Sequence, residues 1–142
     1  MSRIYWDTML FIYWLDGHPV HYSRVLRLLE SAQDRGDKLY TSYLSLGEVM
    51  AGPATESYSP ERDITIRSRL GELGFSYLPF DDGAVSVFGR LRGKEKLKIA
   101  DSIHLACAAS AGIDLFLTGD KQLHRLHVPG IQFITDFNTP MF

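Results

Sequence analysis

A three-layer α/β/α sandwich around a mainly parallel sheet of about five strands is the architecture this 142-residue sequence predicts. Three features point to it. Short strand-like apolar runs alternate along the chain with segments of helical periodicity. The first such run, Ile4 to Trp6, carries no polar alternation, as expected of a central strand covered on both faces. Helix start and stop signals punctuate the chain, while repeats, low-complexity tracts and linkers are absent. Residues 1–142 therefore read as one domain of ordinary size.

The elements follow in order. After Ile4–Trp6 a short helix is expected around Leu10 to Leu15, ended by Asp16-Gly17 and Pro19. Tyr22 to Asp34 places Val25, Leu28, Leu29 and Ala32 on one helical face, with Gly36 as a stop. Leu39 to Ser42 is a second strand, running into "SLGEVMAGP", a helix with a start signal at Ser45 and a Gly-Pro stop. Ser59 as N-cap and Pro60 at the first position open another helix, closed by Gly74. "FSYLPF" is the third strand, and Asp82 then caps a helix carrying Ala84, Val85, Phe88 and Leu91. "KIADSIHLACAASAG" is a small-residue-rich helix ending in Gly112, "DLFLTGD" a strand leading to a Gly turn and a further short helix, and "IQFIT" the last strand.

Ligands of such sheets bind beyond the carboxyl ends of the strands. Acids fall at that edge: Asp7 after the first strand, Glu48 just after the second, Asp120 after "LFLT", and Asp101 near the start of a long helix. Each has a structural explanation besides a functional one. Glu48 stands three residues after Ser45, the spacing of a capping box. Asp101 favours its helix dipole, and Asp120 suits an Asx-turn or N-cap in "TGDKQL". At Asp7 a cap explains little, because the acid interrupts a nearly continuous apolar and aromatic run where desolvation is costly. Four carboxylates at one edge repel one another unless a divalent cation holds them. An oxygen-only, acid-rich set suits Mg²⁺ or Mn²⁺ and metal-dependent hydrolysis of a phosphate ester.

At these residues the sequence resembles the PIN-domain ribonucleases, particularly the VapC-type toxins of prokaryotic toxin–antitoxin pairs. The resemblance rests on "YWDTMLFI", "TSYLSLGEVMAG", "KIADSIHLACAASAG" and "LFLTGDKQL" in that order, across essentially the whole chain. It implies an acidic quartet of Asp7, Glu48, Asp101 and Asp120, in which Asp7, Asp101 and Asp120 hold the metal. Glu48 completes the shell or orients the attacking water. Thr8 and Thr118 match the hydroxyl residues that often follow the first acid and precede the last. Met9 stands where many relatives carry Asn or another small polar residue. The resemblance further implies cleavage of single-stranded RNA with one or two Mg²⁺ or Mn²⁺ ions, a homodimer, and inhibition by a co-encoded antitoxin.

A net charge of −2 gives no global signal for nucleic acid, so RNA must meet a local basic patch. "RLRGKEKLK" supplies Arg90, Arg92, Lys94, Lys96 and Lys98 directly before Asp101, to be read as a phosphate guide or as a solvated helix end. His104, His124 and His127 match no standard zinc spacing and read as satisfied core or surface histidines. Phe11, Tyr13 and Trp14 read as core or as part of a dimer or antitoxin surface. Cys107, the single cysteine, rules out an internal disulfide and reads as a buried small residue. The N-terminal apolar stretch is broken by Asp7 and Asp16, and no run reaches the roughly 18 apolar residues of a membrane span, so a cytoplasmic protein is expected.

Two other Mg²⁺-dependent chemistries fit less well. Haloacid-dehalogenase-type phosphatases need Asp-x-Asp where this chain has "DTM", and a receiver domain needs its acidic pair at the first strand, not at Asp81-Asp82. The alternative from another class is a PIN-fold RNA- or protein-binding module with weak or no catalysis.

Overall fold

The computed structural model describes residues 1–52 and 58–139. Their elements are β1 (Arg3–Trp6), α1 (Thr8–Asp16), α2 (Tyr22–Arg35), β2 (Lys38–Ser42), α3 (Tyr43–Ala51), α4 (Pro60–Gly71), β3 (Ser76–Leu78), α5 (Asp82–Lys94), α6 (Ile99–Ala111), β4 (Ile113–Thr118) and β5 (Ile131–Asp136). The five strands pair in the order β3-β2-β1-β4-β5, every pair parallel. The sheet grows outward from β1 through β2 to β3. It then crosses to the other side of β1 for β4 and β5.

That reversal puts the helices on opposite faces, as right-handed crossovers require. One core joins Ile4 and Trp6 to Leu10, Phe11, Val25, Leu28, Leu46, Val49, Ile66 and Leu70 of α1 to α4. The other joins Tyr5 and Phe116 to Ala84, Val87 and Leu91 of α5 and Leu105, Ala106 and Ala108 of α6. Tyr5 and Phe116 are register partners on neighbouring strands, and their rings stack at 4.7 Å. Strands buried on both faces explain the unbroken apolar run at Ile4–Trp6. Trp6 meets Phe11 and Phe75 in a three-ring cluster with centroids 4.8–5.3 Å apart. Phe11 is thus core, while Tyr13 and Trp14 are half-buried at its margin, Trp14 beneath the Arg69 guanidinium.

The α/β/α expectation holds, and several boundaries move. Helix α1 begins at Thr8 rather than near Leu10. Ser42, not Ser45, caps α3, its hydroxyl taking the Ser45 amide at 3.4 Å. Gly52 terminates α3, and Pro53, the second half of the expected stop, lies outside the described residues. Ser59 caps α4 as expected, but the helix ends at Gly71, before Gly74. Asp81 rather than Asp82 caps α5, which turns Val87 inward and leaves Val85 exposed. The short helix expected after β4 is a run of turns over 121–125. At α3 and α5 the cap shifts because neighbouring polar residues compete for the same helix-end amides.

Cys107 is buried on α6, and burial pushes its thiol up to about 11, so it packs as a small apolar residue. Gly130, at the entry to β5, has φ 103°, and a Cβ there would stand 2.4 Å from the Ala109 carbonyl oxygen. Only glycine lets the last strand approach α6 so closely. No described helix is long and apolar enough to cross a membrane. Phe116→Ala removes a wholly buried ring that spans the sheet and the α6 face. Its unfolding free energy, measured by urea titration, should fall by about 3–5 kcal/mol.

Candidate metal-binding active site

Because all strands run parallel, their carboxyl ends open at one edge, and the reversal of sheet order beside β1 leaves a crevice there. A cleft of about 440 Å³ occupies it, lined by Asp7, Thr8, Met9, Ile12, Tyr13, Glu48, Ala100, Asp101, His104, Gly119 and Asp120. The four acids singled out from sequence therefore line one cavity, from β1–α1, α3, α6 and the β4 turn.

Asp7 is the N-cap of α1, its Oδ1 accepting the Thr8 amide at 2.7 Å. The low weight given to a cap at this position is corrected by that bond. The apolar run hides the cap because strand and helix are separated by Asp7 alone. Its Oδ2 accepts the Thr118 hydroxyl at 2.7 Å, and its amide donates to the Leu117 carbonyl at 3.0 Å. The Thr8 amide and the Thr118 hydroxyl offset its desolvation, with His104 Nε2 standing 3.8 Å from Oδ1.

Thr118 also accepts the Asp120 amide at 3.1 Å, so one wholly buried hydroxyl sets the positions of both acids. Asp120 closes an Asx-turn by accepting the Gln122 amide at 2.9 Å, the structural role expected of it. Asp101 sits in the first turn of α6, half-buried and with no hydrogen bond among the described residues. Burial, then the Asp120 and Asp7 carboxylates, hold its pKa above the ordinary aspartate range.

Glu48 makes no capping box. Its Oε1 accepts the Thr8 hydroxyl at 2.7 Å and lies 2.6 Å from His104 Nε2, and the hydrogen bond from His104 holds its carboxyl below the usual range. His104 is a buried, satisfied histidine as expected, yet it also lines the cleft, a place sequence reasoning did not give it. A signal existed: Asp101 and His104 stand at i,i+3 on one helix, which puts both on the same face. The other two histidines do not join it. His124 Nε2 lies 3.2 Å from the Thr118 carbonyl, and His127 is exposed.

Among the described residues, no three His, Cys, Asp or Glu side chains are drawn closely enough together to hold a metal ion by themselves. The donor chemistry nevertheless fits a hard divalent cation. Mg²⁺ keeps several waters and takes only one or two carboxylates directly, so acids standing back around an open cleft suit it better than they suit zinc. Burial first, and the nearby Asp120 and Asp7 carboxylates second, disfavour the charge on Asp101 that such a cation would stabilise.

The basic run does not form one patch. Arg90 and Lys94 open onto a separate groove with Glu95 and His127, and the Arg92 guanidinium bonds the Leu97 carbonyl. Lys96 adopts φ 54°, rare outside glycine, and so makes the turn into α6. Lys98, the N-cap residue of α6, is near enough to Asp101 to favour its ionised form.

Comparison with known proteins agrees with this geometry. The PIN domain family model matches residues 4–128, and the chain belongs to that family. No curated protein matches significantly. Among solved structures, VapBC2 from Rickettsia felis bound to a DNA fragment from its promoter superposes with a TM-score of 0.68 at 16% identity, covering 94% of this chain and 98% of that one. A toxin-antitoxin complex from Klebsiella pneumoniae gives 0.63 at 20% identity, over 90% and 94%. VapBC-5 from Mycobacterium tuberculosis, of the VapBC family of toxin-antitoxin systems, gives 0.61 at 19%, over 96% and 99%. At these identities the likeness is one of fold.

Asp101 provides a stability test. With its pKa raised in the fold, its charge opposes folding; the penalty is absent below its unfolded pKa and complete above its folded pKa. In metal-free buffer, Asp101→Asn should therefore raise Tm at neutral pH. The gain should fade as the pH falls through the carboxylate range, as followed by thermal melts across pH.

Proposed function

We propose that this protein is a Mg²⁺- or Mn²⁺-dependent endoribonuclease that hydrolyses phosphodiester bonds of RNA, and the toxin of a toxin–antitoxin pair. The observation that carries the reading is the convergence of Asp7, Glu48, Asp101 and Asp120 on one cleft at the switch point of the sheet. Asp7, Asp101 and Asp120 would hold the cation, and Glu48 would complete its shell or orient the attacking water. Bound there, the cation supplies a more acidic water and positive charge against that developing on the phosphate.

The chain's own residues prepare the site. Thr118 fixes Asp7 and the Asp120 backbone, and Thr8 gives its amide to Asp7 and its hydroxyl to Glu48. The Asp7 and Glu48 carboxylates are thus oriented before substrate arrives, which lowers the reorganisation needed during reaction. Tyr13, Ile12 and half-exposed Met9 give the cleft an apolar wall against which an unpaired base can rest.

An antitoxin and a second copy of the chain complete the proposal. The similar structures named above come from toxin–antitoxin assemblies, and exposed Val20, Ile64 and Phe133 give apolar surface for partners to cover.

Asp7→Asn and Asp101→Asn should each abolish cleavage of single-stranded RNA in Mn²⁺ while leaving the circular dichroism spectrum intact. Wild-type cutting by Asp7→Asn removes the metal-site reading, and a wild-type chain that binds no Mn²⁺ returns the protein to a binding module. Of the basic run, Lys98 is the residue whose charge acts on Asp101, which supports a role for it in meeting phosphate. Lys98→Glu should flatten the slope of log affinity against log salt by about 0.7, one phosphate contact on a single strand.

A further inference from the structure

Behind Glu48 runs a buried polar chain that the proposed reaction does not yet use. Tyr5 is wholly buried, its ring stacked on Phe116 and its hydroxyl 2.8 Å from Ser42 Oγ and 2.7 Å from His104 Nδ1. The opposite ring nitrogen of His104 lies 2.6 Å from Glu48 Oε1 and 3.2 Å from the Thr8 hydroxyl. Farther back, the Thr41 hydroxyl lies 2.7 Å from Ser45 Oγ, and Ser45 Oγ lies 3.4 Å from Thr8 Oγ1. A chain of polar groups thus passes from β1 and β2 through α6 to the Glu48 carboxylate at the cleft wall, with Asp7 Oδ1 3.8 Å from the same His104 nitrogen.

We infer that His104, held by Tyr5, is a positioning residue that fixes the Glu48 carboxylate for the metal-dependent cleavage proposed above. The Tyr5 hydroxyl donates to Ser42 Oγ, and its oxygen stands 2.7 Å from His104 Nδ1, holding the ring from behind. Nε2, on the opposite side of the ring, faces Glu48 and bonds its carboxylate. Ser42 Oγ accepts both the Tyr5 hydroxyl and the Ser45 amide.

Thr8 and His104 both address Oε1, while Oε2 accepts no hydrogen bond among the described residues. Glu48 therefore presents one committed and one open oxygen toward the acids of the cleft. A histidine needed only for packing could be replaced by any side chain of its volume among the apolar neighbours Leu105 to Ala109. This one links a rigid aromatic stack to the mobile end of a glutamate.

The inference rests on the nuclease reading, and the test separates the two. Wild type, Tyr5→Phe, His104→Gln and His104→Leu are compared by Mn²⁺ titration followed by electron paramagnetic resonance without RNA, by kcat and KM on single-stranded RNA, and by Tm. His104→Leu should weaken Mn²⁺ binding and lower kcat by about 10- to 100-fold, with KM for RNA unchanged. Tyr5→Phe keeps the stacked ring and should shift both in the same direction by less. His104→Gln, which retains an N–H toward Glu48, should recover part of the loss.

If Tyr5→Phe and the His104 variants keep wild-type Mn²⁺ affinity and kcat while only Tm falls, His104 is a packing residue and the inference is overturned. Should His104→Leu fail to fold, Tyr5→Phe and His104→Gln decide the matter. A wild-type chain that neither binds Mn²⁺ nor cuts RNA overturns the nuclease reading itself, and the positioning role with it.

Discussion

The parallel pairing of β1 between β2 and β4 is the constraint on which the rest depends. Ile4 faces Leu39 on one side and Leu115 on the other, and Trp6 faces Leu117. This register delivers Asp7, Ser42 and Thr118 to one edge, each at the end of its strand. A slip of one residue would exchange Tyr5 for Ile4 or Trp6 on the α6 face and sever the path to His104. The site's geometry is therefore as secure as the two-sided burial of a short strand.

Within the cleft, the acids divide into those supplied with donors and those left in conflict. Asp7 has an amide and a hydroxyl, and Glu48 has a hydroxyl and an imidazole. Asp101 has neighbours of its own sign. The fold thus tolerates unfavourable charge at one point while bracing the groups around it, a common division where a site needs affinity for something not yet bound.

Much of this was legible in the chain. Strand-end acids announce themselves because a carboxylate inside an apolar run has few structural excuses, and the alternation of runs gives the layered fold. The caps were less legible. Ser42 and Ser45, or Asp81 and Asp82, differ only in which hydroxyl or carboxylate the backbone turns toward the free amides, and that depends on where the preceding strand stops. His104 was the least legible, because its partner Glu48 is 56 residues away and only the folded sheet brings the two together. The basic run reads as continuous in sequence, yet the left-handed turn at Lys96 and the helix before it send its members in different directions.

The sheet order has a consequence for the chain as it is made. Of the strands beside β1, β2 leaves the ribosome within the first 42 residues, but β4 is not complete until Thr118. Until then Asp7 lacks the hydroxyl that orients it, and Asp120 does not yet exist. A nascent chain carries three of the four acids and the whole α6 helix without the edge that gathers them. Any activity of this cleft therefore begins only after Asp120 has been made.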